Sequence, residues 1–545
     1  MAISVVFTLL SRYLFALCFI LLCPLLLAAS DYSIQKHPLD LNSIYGFGAA
    51  IILTLLLRAL LMITRRYLHS PGPRIVLRKE AILSAALIWL ITPLIGALPY
   101  LFSGTLTSFS DAFFESTSGF TTTGASILTP KLFASGQEIP YLQHTATAAL
   151  PYSYYGTVQP VFSNGILYEG LAALPRALLF WRSFAQWLGG MGIIVLFVAV
   201  APLSGGSRFL FQSEVTGPTK DAITPRAKES ASLLWKIYLS LTLLQGLCLQ
   251  LTNPSLPFFD TTVIVFSTIS TGGFTIWPES IAHYQSASMQ WVIILFMTLG
   301  GLNFGLYPLM YQRRWRLVRI DKELWLYLGS LILGSAAVYL SLGNSPIQML
   351  EGTWIHLNIL EKVRTSLFHY ISAQTSTGFA TSNFDIWPPF TQVLLLLAMY
   401  LGGMSGSTAG GMKIMRHYIL LRFSLYKLRR LLSPNTLSRF SLDGQRVSET
   451  MVGFVFVFFF LNLFFSAIST LIFLFTGVDQ ETALGLSACF INNVGFSFRL
   501  AGPMHSFAFL SAFGKIWSCF IMILGRLEFF TLLLLFLPGF FSKSD

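Results

Sequence analysis

The chain has 545 residues, of which 54% are hydrophobic and only 11% charged, and it carries a formal net charge of +12. A soluble protein keeps about a quarter of its residues charged, so the composition excludes an ordinary soluble enzyme or binding module. In a soluble chain the basic excess would suggest nucleic acid; in a chain of apolar blocks it is expected in short cytoplasmic loops, and no nucleic-acid partner is expected.

Apolar blocks fall near 8–29, 44–64, 81–102, 178–202, 231–251, 288–310, 324–342, 389–402, 450–476 and 513–538. About 20 apolar residues in a helix cross a hydrocarbon core about 30 Å thick, so ten spanning helices in contact with membrane lipid are predicted. The block from 389 runs into a glycine-rich stretch and resumes near 414. Residues 1–30 resemble a secretory signal, but no basic residue precedes Arg12, so a retained helix is expected. Semi-polar stretches near 109–120, 258–270, 363–376 and 480–492 are too short to span and suit re-entrant segments. Residues 130–176, rich in Tyr, Pro and Ala, form an insertion without legible chemistry. The five cysteines, Cys18, Cys23, Cys248, Cys489 and Cys519, lack metal-ligand spacing and read as small packing residues.

Lys and Arg alternate between loops. Rich loops hold Arg65, Arg66, Arg74, Arg78 and Lys79, then Arg208, Lys220, Arg226 and Lys228, then Arg313, Arg314, Arg316, Arg319 and Lys322. A fourth holds Lys413, Arg416, Arg422, Lys427, Arg429, Arg430, Arg439 and Arg446. The opposite loops hold little beyond Lys36, Lys131, Arg176, Lys362, Arg364 and Arg499. The rich side is read as cytoplasmic, with both termini inside. The semi-polar stretches then lie on the outer side, each between an outward and an inward helix.

The expected fold is an all-α integral membrane protein with four helix–re-entrant pore loop–helix repeats in pseudo-fourfold symmetry around one pore. Residues 1–79 form a preceding helix pair, 80–205 the first repeat with its insertion, 206–320 the second, 321–432 the third and 433–545 the fourth.

A short string follows each semi-polar stretch: Thr121-Thr122-Thr123-Gly124, Ser270-Thr271-Gly272-Gly273, Ser376-Thr377-Gly378, and Asn492-Asn493-Val494-Gly495. Repetition at roughly 105–150 residues marks repeat architecture. A potassium ion entering a narrow pore must exchange water for oxygen ligands, which rings of backbone carbonyls supply. Carbonyls from successive residues face one axis only with unusual dihedrals, which glycine adopts without steric cost. A short helix ending at each string would aim its partial negative charge at the cavity. The candidate ion-binding residues are Thr122, Thr123, Gly124, Ser270, Thr271, Gly272, Ser376, Thr377, Gly378, Asn493, Val494 and Gly495. K+ is the transported ion expected there, and no cofactor is expected on this chain.

Below the third string, Gly402, Gly403, Ser405, Gly406, Ser407, Thr408, Gly410 and Gly411 interrupt the helix, in a segment ending at Lys413. Five glycines with Ser and Thr do not sustain a helix, and such a break must be buried or line a cavity; it reads as a movable plug. A nucleotide loop is the competing reading, but Met412 stands where that motif needs Lys. Arg526 lies deep in the last apolar block, where a charge is a functional candidate by default; pairing with Glu528 or snorkelling to the inner surface are the structural alternatives. Asp111, Glu115, Asp260 and Glu481 are open to two readings, cation attraction or capping and packing. His356 and His369 are read as packing residues rather than pH sensors.

On these four strings, the glycine-rich loop and Arg526, the chain resembles the Trk/Ktr/HKT superfamily of potassium transporters, and within it the bacterial TrkH/TrkG-type potassium uptake subunits. The resemblance runs from about residue 80 onward, and the additional N-terminal helix pair fits the same branch. It implies an inner-membrane potassium transporter rather than an enzyme. The glycine of each string would line the filter, and glycine at all four positions would favour potassium. The loop 402–413 would gate, with the matching Arg526 projecting into the permeation path. It also implies a homodimer and a cytosolic TrkA-like nucleotide-binding ring. The insertion 130–176 departs from the family's pattern. A sodium-permeable or H+/Na+-coupled symporter on the same scaffold is the nearest alternative. A polytopic membrane enzyme is a remote one, since clustered carboxylates or a nucleophile with a base are not apparent.

Overall fold

The computed structural model describes residues 3–34, 39–67, 76–134, 137–143, 152–163, 166–192, 227–432, 440–442, 445–446 and 448–541. Lys36, Arg74, Arg208, Lys220, Arg226, Arg439 and residues 193–202 of the fourth apolar block lie outside them.

The chain opens with two helices, α1 (Ile3–Ile34) and α2 (Asp40–Tyr67). The hydroxyls of Tyr13 and Thr92, 2.5 Å apart, join α1 to α3 (Arg78–Phe102). Buried Asp31 pairs with Arg176 at 3.3 Å. Next come the short helix α4 (Phe109–Phe120) and α5 (Arg176–Gly190). The pattern continues with α6 (Ala227–Thr252), α7 (Phe258–Ile269) and α8 (Ala287–Gly300), followed by small helices α9 (Leu306–Tyr311) and α10 (Trp315–Ile320). Then come α11 (Lys322–Leu342), α12 (Ile359–Gln374), α13 (Pro389–Leu401) and α14 (Ile414–Leu432). The last set is α15 (Glu449–Phe475), α16 (Gln480–Ile491) and α17 (Ala512–Arg526). The four semi-polar stretches are therefore the short helices α4, α7, α12 and α16, close to the predicted bounds.

About ten spans were expected, only the one from 389 interrupted, and the structure differs. Among the described residues six helices (α1, α2, α3, α6, α11 and α15) are long and apolar enough to cross a membrane. A seventh span counts if α17 and the turn after it are taken together across a 110° bend. The other apolar blocks break midway, and the reason lies in a repeated sequence: Leu188-Gly189-Gly190-Met191, Leu299-Gly300-Gly301-Leu302, Leu401-Gly402-Gly403-Met404 and Leu524-Gly525-Arg526-Leu527. α5, α8, α13 and α17 all end within these tetrads. A Cβ on Gly189 would overlap the Phe120 carbonyl, and one on Gly525 the Ile491 carbonyl. These two glycines let α5 and α17 press on the ends of α4 and α16, a close approach that any side chain would prevent, while Gly300 faces the Ile269 carbonyl at the end of α7 less tightly, its Cβ position 3.3 Å away.

Among its described residues the insertion forms three antiparallel strand pairs, β1–β2 (Leu132–Ala134 with Gln137–Ile139), β3–β4 (Tyr141–Gln143 with Tyr152–Tyr154) and β5–β6 (Val161–Ser163 with Ile166–Tyr168). It is tied to the segment after α16: Thr129 bonds Ser506, Gln143 bonds His505, and the Tyr152 hydroxyl donates to the Phe509 carbonyl at 3.1 Å.

Candidate functional site

Each short helix unwinds in the same way. Thr122, Thr271, Ser376 and Asn493 take left-handed φ of 55°, 53°, 55° and 53°. Two residues later Gly124, Gly273, Gly378 and Gly495 take φ of 81°, 79°, 84° and 91°. The amides between fold back onto one helix carbonyl: Thr123 and Gly124 donate to Ser118, Gly272 and Gly273 to Ser267, Thr377 and Gly378 to Ser372, and Val494 to Cys489. A non-glycine residue in the left-handed region costs roughly 1–2 kcal/mol, so four in register mark an imposed conformation.

This corrects the second string by one residue. Ser270-Thr271-Gly272 was expected to match Thr122-Thr123-Gly124, but the left-handed residue is Thr271 and the left-handed glycine is Gly273. Gly272 stands where Thr123, Thr377 and Val494 stand, and Ser270 caps α7. The doubled glycine offered two alignments, and only the point where α7 ends decides between them.

The strings meet. A Cβ on Gly124 would overlap the Gly272 carbonyl oxygen, on Gly273 that of Thr377, on Gly378 that of Val494, and on Gly495 that of Thr123. The contacts run from the first string to the second, third and fourth, and back to the first. The circuit of contacts is closed.

Side chains brace the ring from behind. Buried Gln186 on α5 donates to the Gly272 carbonyl at 2.6 Å and accepts the Phe274 amide at 3.1 Å. Arg182, one turn earlier, pairs with Glu115 at 2.7 Å, and the two side chains are only 2% and 0% exposed. Arg182 also donates to the Thr275 carbonyl, and Glu115 accepts the Ser126 hydroxyl and the Ile127 amide. The Asn493 amide reaches the Thr123 hydroxyl at 2.9 Å and the Met522 carbonyl at 3.0 Å. Removing one partner of a buried pair typically costs about 3–5 kcal/mol. Arg182→Met is therefore expected to lower the melting temperature in detergent markedly, and Arg182→Lys by less; an unchanged melting temperature for Arg182→Met would contradict this.

The acids read as possible cation attractors are packing partners: Asp111 pairs with Lys515 at 2.6 Å, Asp260 accepts the Tyr284 hydroxyl at 2.9 Å, and Glu481 pairs with Arg499. His369 is buried, with Nδ1 on the Thr365 carbonyl at 2.9 Å and Nε2 accepting the Thr381 amide at 3.2 Å.

The glycine-rich segment between α13 and α14 lies against the end of α7 and the first residues of the third and fourth strings. Thr408 donates its hydroxyl to the Ile269 and Gly300 carbonyls, Gly410 N–H meets the Ser376 hydroxyl at 2.5 Å, and Gly411 N–H meets the Asn492 carbonyl at 3.2 Å. Gly402, Gly406 and Gly411 have φ of 72°, 71° and 75°, so the segment cannot be helical. Lys413 is buried inside it and donates to the Ser407 and Ala409 carbonyls. Arg526 donates to the Thr408 carbonyl at 3.0 Å and to the Gly189 and Gly190 carbonyls at 2.6 and 2.9 Å. Glu528, considered as its partner, forms a buried pair with Arg416 at 2.6 Å.

The TrkH family model, described as a cation transport protein, matches residues 163–543. The Trk system potassium uptake protein TrkH of Salmonella typhimurium is 33% identical over 473 residues, covering 85% of this chain and 86% of that one. This chain belongs to the TrkH family. TrkG of Escherichia coli, also named a Trk system potassium uptake protein, is 31% identical over 474 residues, covering 86% of each chain. The crystal structure of the potassium transporter TrkH from Vibrio parahaemolyticus superposes with a TM-score of 0.75 at 27% identity, covering 99% of this chain and all of that one. Membership of the TrkH family and the long apolar helices together make the chain an all-α, multi-pass membrane protein.

Sequence reasoning singled out Arg526 but missed Arg182, Gln186 and Glu323. The signal was present for Arg182, an arginine inside an apolar helix, since the rule applied to Arg526 covers it equally.

Proposed function

We propose that the chain takes up potassium across a bacterial inner membrane, through a pore on the axis shared by the four strings. The observation that carries this reading is the closed circuit of glycine-to-carbonyl contacts through Gly124, Gly273, Gly378 and Gly495. Strings that meet in a ring have one axis, and their backbone oxygens there replace the hydration shell of a cation. Irregular backbone at membrane depth is tolerated where it lines such a cavity. The filter would comprise Thr122–Gly124, Thr271–Gly273, Ser376–Gly378 and Asn493–Gly495, in four repeats of pseudo-fourfold symmetry. Glycine at every ring position and the potassium named in the relatives' descriptions both favour K+.

The loop 402–413 and Arg526 would form the gate. The bonds of the loop to Ile269, Ser376 and Asn492 support this, because one segment then underlies three strings, while Arg526 ties it to the α5 end of the first repeat. The short loops rich in Lys and Arg would face the cytoplasm, with both termini inside. A TrkA-like nucleotide-binding ring would act on that face, and a second copy would complete a dimer. The reaction is transport rather than catalysis.

Flux from purified protein in liposomes tests the reading. K+ and Rb+ should pass under an imposed voltage, with Na+ slower by severalfold and no need for a proton gradient. Sodium passing as readily as potassium would overturn the selectivity, and flux that requires a proton or sodium gradient would make the protein a symporter.

A further inference from the structure

The glycine-rich loop is also held by the segment that joins the second repeat to the third. The segment from Gly300 to Glu323 leaves α8, forms α9 and α10, and returns at the start of α11. Both of its ends bond the loop. At the first end, Met404 N–H donates to the Gly301 carbonyl at 2.9 Å, Thr408 N–H to Gly300 at 3.3 Å, and Phe304 N–H to the Gly406 carbonyl at 3.1 Å. At the second, the Glu323 carboxylate accepts Ser405 N–H at 2.6 Å, and Glu323 is 8% exposed. The two ends are also tied to each other, since the Tyr327 hydroxyl on α11 donates to the Thr298 carbonyl on α8 at 3.1 Å. Asn303 holds the turn by accepting Gly305 N–H at 2.8 Å.

The loop itself is stapled from within by Lys413 and bends at left-handed glycines 402 and 411. At 2.6 Å the bond from the buried Ser405 amide has the short length of a charge-assisted hydrogen bond, roughly twice as strong as a neutral one. We infer that residues 300–323 form a latch for the loop, and that Glu323 is the positioning residue that holds it beneath the strings without touching the ion. The inference rests on reading the loop as a gate. Because α9 and α10 join the two attachment points, a displacement of that pair would pull on both together.

The test uses the full-length protein in liposomes, without any cytosolic partner. Glu323→Gln keeps the shape and removes the charge; Glu323→Asp keeps the charge and shortens the reach. Basal Rb+ flux is measured for each, along with the reaction rate of a water-soluble thiol reagent with Ser405→Cys, whose backbone N–H is retained. Glu323→Gln should raise both by roughly tenfold, the difference between a charge-assisted and a neutral bond, with Glu323→Asp between it and the parent and the Rb+ to Na+ ratio unchanged. Parent values for flux and thiol reactivity in both variants would overturn the latch. A flux that falls in a protein with its normal melting temperature would overturn it as well. Faster thiol reaction at unchanged flux would instead sink the gate reading, leaving Glu323 as the anchor of the loop. If Glu323→Gln fails to fold, Glu323→Asp carries the same comparison.

Discussion

Gly273→Ala should abolish potassium flux, while Gly272→Ala should leave a reduced but measurable part of it. The two residues are adjacent and identical, so only local geometry separates them. Gly273 has φ of +79°, and a Cβ there would overlap the Thr377 carbonyl of the neighbouring string. Left-handed strain of roughly 1–2 kcal/mol adds to a steric wedge between two rigid backbones, and a total near 3 kcal/mol amounts to about a hundredfold. The same wedge faces Gly124, Gly378 and Gly495. Gly272 is not left-handed, and its Cβ would meet the Gln186 side chain, with Cδ at 2.5 Å and Nε2 at 2.9 Å. That side chain can rotate away, at the loss of its bonds to the Gly272 carbonyl and the Phe274 amide. Two buried hydrogen bonds at about 1 kcal/mol each set the expected penalty at no more than roughly thirtyfold. Rb+ uptake by liposomes containing each variant, scaled to folded protein, decides the matter. A dead Gly272→Ala beside a working Gly273→Ala would return the register to the one expected from sequence.

Much of the fold was legible because lipid imposes length and polarity rules that residues display directly. The short helices α4, α7, α12 and α16 stood out as stretches too polar and too brief to span, and the four strings as glycine-bearing sequences after them. The failures have a common physical cause. A glycine's role depends on what its missing Cβ would have struck, which composition does not record. The breaks at Gly189, Gly300 and Gly525 were read as continuous helix because one or two glycines cost a helix little; the deciding fact is the short-helix carbonyl that faces each of these glycines. Only the third break was visible, since its interruption runs to a dozen residues. The Gly272–Gly273 register failed similarly, at a point where sequence offers two equal alignments. Glu115 and Arg182 lie 67 positions apart, and nothing local in either segment announces that they meet behind the first string.

Arg526→Gln should raise basal flux by at least tenfold without altering the preference for K+ over Na+. The guanidinium bridges two elements that otherwise belong to different repeats: Thr408 in the loop, and the end of α5 at Gly189 and Gly190. Its planar fork is what allows one side chain to serve carbonyls on both sides. Glutamine offers a single amide on a shorter stem and cannot span them, so the loop loses its tie to the first repeat. The charge acts in the same direction. A fixed positive charge beside a cation's path opposes passage, on the order of a few kcal/mol over a few ångströms at an effective dielectric constant near 20. Arg526→Lys separates the two effects, because it keeps the charge and gives up the fork. If the tether dominates, Arg526→Lys should resemble Arg526→Gln; if the charge dominates, it should resemble the parent. The three carbonyls it now satisfies argue for the tether, since a compact ammonium has no geometry that reaches all of them. A folded Arg526→Gln protein whose flux falls or stays at the parent level would remove Arg526 from the gate, and with it the role assigned to the loop it holds.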